Sequence, residues 1–89
     1  MTQALKDIII NALEEVKATE IMTIDVRDLT GITDTMVVAS GNSNRQVKAL
    51  ANSVVVDAKE SGHEMIGIEG DDKAEWILVD FGDVIVHIM

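Results

Sequence analysis

The sequence predicts an α/β (α+β) fold in which a mixed sheet of about five strands packs against two main helices. Two stretches repeat apolar residues with the period of a helix, and five shorter stretches are rich in apolar and β-branched residues. Their order along the chain is helix, two strands, helix, three strands. Because 89 residues have room for one hydrophobic core, residues 1–89 are predicted to form a single domain.

The first helix is predicted from about Gln3 to Ala18, where the apolar residues fall on one helical face. Residues 21–29 then alternate between apolar and polar, which predicts a half-exposed strand near an edge of the sheet. The apolar side of that strand consists of Met22, Ile24 and Val26. A second strand is predicted at Met36–Ala39, which is a short apolar run that ends at a Ser-Gly pair.

The second helix is predicted to begin after Ser43 and to end near Gly62. Residues 43–46 match a capping box, in which the Ser43 hydroxyl accepts a hydrogen bond from the backbone N–H of Gln46 and the Gln46 side chain reaches back. Gly62 can adopt the left-handed conformation that follows many helices without steric cost. A third short strand follows at Met65–Ile68, before an acidic loop.

The stretch from Glu75 to Met89 predicts a β-hairpin, because apolar runs at 76–79 and 84–89 flank the turn at residues 80–83. The first run does not alternate, which indicates a strand that is covered on both faces and lies near the middle of the sheet. Trp76 is the only tryptophan in the chain. It fits a core position and a binding surface equally well.

The formal net charge of −9 should repel nucleic-acid backbones, so no direct nucleic-acid binding is expected and a basic partner is favoured. Simple solubility is the alternative reason for such a charge. Arg45 and Lys48, near the start of the second helix, are among the few basic residues. They either contact an acidic partner or keep the exposed helix face solvated.

Cysteine is absent, which excludes disulfide bonds, thiolate metal sites and a cysteine nucleophile. The two histidines, His63 and His87, lie in separate segments, so no transition-metal site and no cofactor are expected. No apolar run approaches the length of a membrane span, and nothing at the N-terminus signals export. We therefore expect a cytoplasmic protein without a membrane anchor.

Two weak patterns suggest an enzyme as the alternative. Gly41 and Ser43 lie between a strand and a helix, as in phosphate-binding turns, although neither common phosphate-binding motif is present. Asp80 and Asp83 could hold Mg²⁺ across the hairpin turn. Together these four residues suggest a small nucleotidyltransferase-like enzyme that uses Mg²⁺ and a nucleotide. An ordinary helix cap and a solvated turn explain the same residues more simply.

Several segments together resemble the ribosomal silencing factor family, also called the Iojap family, over essentially the whole chain. The most specific are Ser-Gly-x-Ser-x-Arg-Gln-Val at residues 40–47 and Trp-x-x-x-Asp-x-Gly-Asp-x-x-Val-His at residues 76–87. The resemblance implies a nucleotidyltransferase-like fold without enzymatic activity. It also implies a factor that binds ribosomal protein number fourteen of the large subunit, blocks joining of the small subunit and represses translation during starvation.

The resemblance further implies a partner-binding surface with an acidic rim. The surface consists of Trp76, Ile77 or Leu78, Asp80, Val84 and His87, and the rim of Glu69, Asp71 and Glu75. Family members usually continue past the Val-His-Ile-Met end with a short tail of aromatic and Leu residues, which this sequence lacks. A homodimer formed through the apolar hairpin is a third possibility.

Overall fold

The computed structural model describes residues 4–29, 31, 33–70, 73 and 75–89. These residues form two helices and five strands in the predicted order, which confirms the α/β class with a mixed sheet. The helices are α1 (Leu5–Glu15) and α2 (Asn44–Glu60), and the strands are β1 (Glu20–Asp25), β2 (Thr35–Ser40), β3 (Gly67–Gly70), β4 (Ile77–Asp80) and β5 (Val84–Ile88). Among the described residues, no helix is both long and apolar enough to cross a membrane.

The five strands lie side by side in the order β1-β2-β5-β4-β3. The β2 and β5 strands are parallel, and the other neighbouring pairs are antiparallel. The predictions of β1 near an edge and of β4 in the interior are confirmed. The third strand was predicted two residues too early, because Met65 and Ile66 are apolar yet exposed, and the ladder to β4 starts at Gly67.

Both helices pack on one face of the sheet, and the core lies between the two layers. Buried side chains of α1 and α2 meet those of the three central strands in one cluster. Its largest fully buried members are Ile9, Leu13, Leu50, Ile88, Val37, Val54, Val79 and Val86. The helices are also joined directly, because the Ser53 hydroxyl donates to the carbonyl of Ala12 at 3.1 Å. On the other face of the sheet, the described residues include no helix.

Local signals at the start of α2 agree with the predicted cap in part. The Ser43 hydroxyl accepts from the backbone N–H of Gln46 at 3.1 Å, as the capping box requires. The Gln46 side-chain oxygen accepts from the N–H of Asn42 instead of that of Ser43. Its amide nitrogen donates to the carbonyls of Val16 (3.1 Å) and Lys17 (3.0 Å). Gln46 therefore ties the end of α1 to the start of α2.

The two helices end in the same motif with different residues. After α2, Gly62 has a φ of +90°, and the N–H of His63 donates to the carbonyl of Ala58 at 2.8 Å. After α1, Lys17 occupies the equivalent position with a φ of +62°, and the N–H of Ala18 donates to Leu13 at 3.1 Å. Glycine adopts this left-handed conformation most readily, and the prediction that Gly62 ends α2 is confirmed. Lysine is unusual at this position, so Lys17 has a strained backbone conformation.

Candidate partner-binding face

The sheet face opposite the helices is formed by alternate side chains of all five strands, and we call it the open face. Strand register places its residues in two rows across the sheet. One row contains Met22, Val38, His87, Leu78 and Glu69, and the next contains Ile24, Met36, Ile85, Asp80 and Gly67. The residues that follow or precede the strands add Met89 and Trp76 at one end.

This open face is largely apolar and remains accessible. Met22, on the edge strand, is 59% exposed, and Ile24 and Met89 are exposed as well. The sequence predicted that β4 is covered on both faces, but within the described part of the chain its outer side, which carries Leu78, is only half-buried. An apolar face of this kind on a small protein is typical of an interaction site.

Trp76 and His87 lie at the end of the open face next to Met89. Their rings are arranged edge to face, with centroids 6.4 Å apart and planes at 89°. Trp76 is 39% exposed, so it is neither a core residue nor a free surface side chain. Such a ring is held in place by its neighbour and still offers a broad apolar surface to a partner.

All charged residues on the five strands are acidic. They are Glu20, Asp25, Glu69 and Asp80, and no strand contains Lys or Arg. Of these four, Glu69 and Asp80 belong to the two rows of the open face. Glu20 lies on the same face, two residues before Met22, and is in register with Ser40. The combination of an apolar centre and acidic edges suits a partner whose own surface combines apolar and basic groups.

The structure separates the sequence-predicted site residues by sheet face. Trp76, Leu78, Asp80, His87 and Glu69 belong to the open face, and Glu75 is exposed just before Trp76. Ile77 and Val84 point the other way and are buried beneath the helices. A partner on the open face therefore cannot contact these two side chains. Ile77 and Val84 can affect binding only by positioning the backbone of their strands. Asp71 lies outside the described residues.

The four residues of the alternative enzyme reading do not come together. Asp80 and Asp83 lie at the β4–β5 turn, where the Asp80 carboxylate accepts from the N–H of Gly82 at 2.8 Å. Gly41 and Ser43 follow the far end of β2, about 17–20 Å away along the strand. A Cβ at Gly41 would lie 3.2 Å from the backbone nitrogen of Val47, so close helix packing explains this glycine. Within the described residues, no three His, Asp or Glu side chains form a metal-binding group.

Comparison with known proteins identifies the family. A family model described as "Ribosomal silencing factor during starvation" matches residues 1–89. The chain is 51% identical over 87 residues to the ribosomal silencing factor of Chromobacterium violaceum, covering 98% of this chain and 71% of that protein. The chain belongs to the ribosomal silencing factor family.

Further family members and a solved structure agree. The ribosomal silencing factor of Haemophilus influenzae is 43% identical over 86 residues, which cover 97% of this chain and 84% of that protein. A crystal structure of a Chromobacterium violaceum protein superposes with a TM-score of 0.94 at 49% identity, covering 100% of this chain and 74% of that chain. The predicted family is therefore confirmed, while the likeness to nucleotidyltransferases stays a prediction.

Sequence reasoning missed half of the open face of this family member. Met22, Ile24, Met36, Val38 and Ile85 were not assigned to a binding surface, although the structure places them beside His87 and Leu78. A usable signal was present in the sequence. The central strands are apolar at consecutive positions, which indicates that both faces of the sheet are to be covered. Two helices can cover only one face, so the other face is available to a partner.

Proposed function

We propose that this chain binds ribosomal protein number fourteen of the large subunit through the open face and blocks joining of the small subunit. Such a factor acts in the cytoplasm and represses translation when nutrients are limiting. The mechanism is steric, because a protein bound at the joining surface occupies space that the small subunit needs. No catalytic group and no cofactor are required.

One observation carries the proposal: a family member presents an apolar sheet face, and the charged residues on its described strands are all acidic. Ribosomal proteins are generally basic, so acidic groups at the rim favour approach in the correct orientation, and the apolar centre supplies affinity after contact. Trp76 and its neighbour His87 are the proposed anchor, since aromatic side chains dominate binding energy at many interfaces. Leu78 and Met22 extend the apolar contact across the sheet.

A sedimentation experiment tests this function. The chain is mixed with isolated large subunits, small subunits are added, and the joined and free particles are separated on a gradient. We expect the chain to sediment with the large subunit and the joined-ribosome peak to shrink. Binding without a smaller joined peak would contradict steric blocking, and absence of binding would contradict the proposed partner.

Matched variants connect that result to the open face. Met22→Lys adds a positive charge at the most exposed large apolar strand residue of the open face, whereas Val56→Lys makes the same change on α2, on the opposite side of the molecule. We expect Met22→Lys to restore the joined-ribosome peak and Val56→Lys to behave like the unmodified chain. Equal effects of the two variants would show that binding does not use the open face.

A second copy of the chain is the alternative occupant of this apolar face. Sedimentation velocity over a range of protein concentrations measures that association. If a dimer covers the open face, Met22→Lys will shift the protein toward the monomer, and large-subunit binding will increase as the dimer is diluted. A monomer at all concentrations leaves the ribosomal protein as the proposed occupant.

A further inference from the structure

Two basic residues lie near the start of α2, at one corner of the helix layer, and we call Arg45 and Lys48 the basic corner. They are exposed and three residues apart in α2, so their side chains are neighbours on one helix face. The backbone of Lys17 lies next to this turn of α2, because the Gln46 side chain donates to the Lys17 carbonyl at 3.0 Å. Within the described part of the chain, neither Arg45 nor Lys48 forms an ion pair.

The sequence segment that contains Arg45 and Lys48 differs in charge from the rest of the chain. Asp and Glu account for 16 of the 89 residues, yet neither occurs between Thr35 and Val56. The only charges in that segment are Arg45 and Lys48. Glu14 and Glu15 precede Lys17 in the sequence, and Glu20 follows it and is in register with Ser40. The segment that contains Arg45 and Lys48 thus has a positive charge although the chain has a net charge of −9.

The basic corner lies at the same end of the sheet as the proposed Trp76 anchor. The N–H of Gly41, three residues before α2, donates to the carbonyl of Met89 at 2.8 Å. Met89 in turn lies beside Trp76, because the adjacent pair Ile77 and Ile88 is in register. The corner and the anchor therefore share one end of the sheet but lie on opposite faces of it, so a large partner reaches both by extending around that end of the molecule.

We propose that the basic corner contacts RNA phosphates of the large subunit next to the docked ribosomal protein. This inference rests on the proposed function, since the open face must bring the corner to the RNA. Lys and Arg side chains without acidic partners neutralise phosphates, and Arg45 can bind two phosphate oxygens at once. The expectation of no nucleic-acid binding, which came from the net charge, then applies to the free chain and not to the docked one.

Binding measurements with two forms of the partner test the basic corner. One is the isolated ribosomal protein number fourteen, and the other is the intact large subunit. The test variant is Arg45→Gln with Lys48→Gln, and the control is Lys6→Gln with Lys59→Gln, which removes the same charge from the far ends of the two helices. Affinity is measured at several salt concentrations with both partners.

We expect the test variant to bind the isolated protein as the unmodified chain does and to bind the large subunit roughly tenfold more weakly. The dependence of log affinity on log salt should become shallower by about 1.5, because two phosphate contacts are lost. The control should match the unmodified chain in both measurements. A separate assay with free RNA of unrelated sequence should detect no binding by the unmodified chain.

Four other outcomes would overturn the inference. If the control variant lost as much affinity for the large subunit as the test variant, the effect would be one of general charge. If the test variant bound the subunit as the unmodified chain does, Arg45 and Lys48 would be ordinary solvated surface residues. Weaker binding to the isolated protein would assign the corner to the protein interface. If the unmodified chain bound neither partner, the proposed function itself would fail, and the inference would fail with it.

Discussion

The indole ring of Trp76 meets the imidazole ring of His87 edge to face, with centroids 6.4 Å apart. The pair joins the start of β4 to the end of β5 on the side of the sheet that no described helix covers. Because Trp76 remains 39% exposed, its removal leaves the helix-covered core untouched. Binding and stability should therefore respond differently to changes on the two faces.

Trp76→Ala should weaken binding to ribosomal protein number fourteen by about 2 kcal/mol or more, which is roughly 30-fold in affinity. The fold should persist, because only the ring contact with His87 and partial burial are lost. Isothermal titration calorimetry measures the affinity, and a circular-dichroism melt checks the fold. Val56→Ala, at a side chain of similar exposure (42%) on α2, is the control. Global unfolding of Trp76→Ala would assign this residue to the core.

Ile77 and Leu78 provide a matched pair of adjacent residues on opposite faces. Ile77→Ala should lower the free energy of unfolding by about 2–4 kcal/mol, since Ile77 packs in the core beneath the helices. Leu78→Ala should cost less than half as much stability and should lose more binding. Urea denaturation and titration with the partner separate the two effects. Equal losses of stability would contradict the assignment of these side chains to the two faces.

Lys17→Gly should stabilise the protein by about 0.5–1 kcal/mol, because Lys17 has a φ of +62° and glycine adopts that conformation without strain. For a domain of this size the melting temperature should rise by roughly 2–8 °C. Lys17→Ala keeps the strain, removes the charge and is expected to give no such gain. An unchanged or lower melting temperature for Lys17→Gly would show that the positive φ of Lys17 costs the folded protein nothing.

Glu69→Gln should slow association with a basic partner several-fold at low salt, with a smaller effect as salt screens the charges. Glu69 shares its row with Leu78 and His87 on the open face. Stopped-flow kinetics measure the association rate constant. Glu60→Gln removes one negative charge at the end of α2 and should change the rate less. Identical rates for both variants would indicate that only net charge matters.

Asp25 and Arg27 form an exposed ion pair with an Nη2–Oδ2 distance of 2.7 Å. Hydrogen bonds from the Arg27 side chain, followed by one from its backbone N–H, lower the pKa of Asp25 below its usual value of 3.8. A lowered pKa in the folded state contributes stability above the unfolded pKa, and this contribution is lost as the pH falls through the folded pKa.

Arg27→Gln should therefore raise the pKa of Asp25 toward its usual value, as followed by NMR titration of the carboxylate. Any stability difference from the unmodified chain should be present at neutral pH and should vanish in acid below the folded pKa. Since both side chains are exposed, the difference at neutral pH should be small. An unchanged pKa in the variant would show that the ion pair does not form in solution.

Part of the candidate site followed from sequence alone. The Trp76 to His87 segment was assigned to a hairpin and to partner binding, and the hairpin is confirmed while the binding role stays a proposal. The sequence did not distinguish Ile77 from Leu78. Two adjacent apolar residues give no periodic signal, so nothing local indicates which one faces the helices.

The sequence by itself determined the features that depend on neighbouring residues. Helical periodicity, the Ser43 hydroxyl cap, the Gly62 ending and the order of helices and strands along the chain follow from local sequence, and each was confirmed. The excess of acidic residues is likewise a property of composition.

Only the tertiary structure decided which surfaces these elements create. The parallel pairing of β2 with β5 places both helices on one face, so Met22 and Leu78 lie in one row on the other. The same pairing separates Gly41 from Asp80 and brings Gly41 to Met89. These contacts join residues far apart in the chain. They depend on which strands become neighbours, and local periodicity and turn signals do not specify that choice.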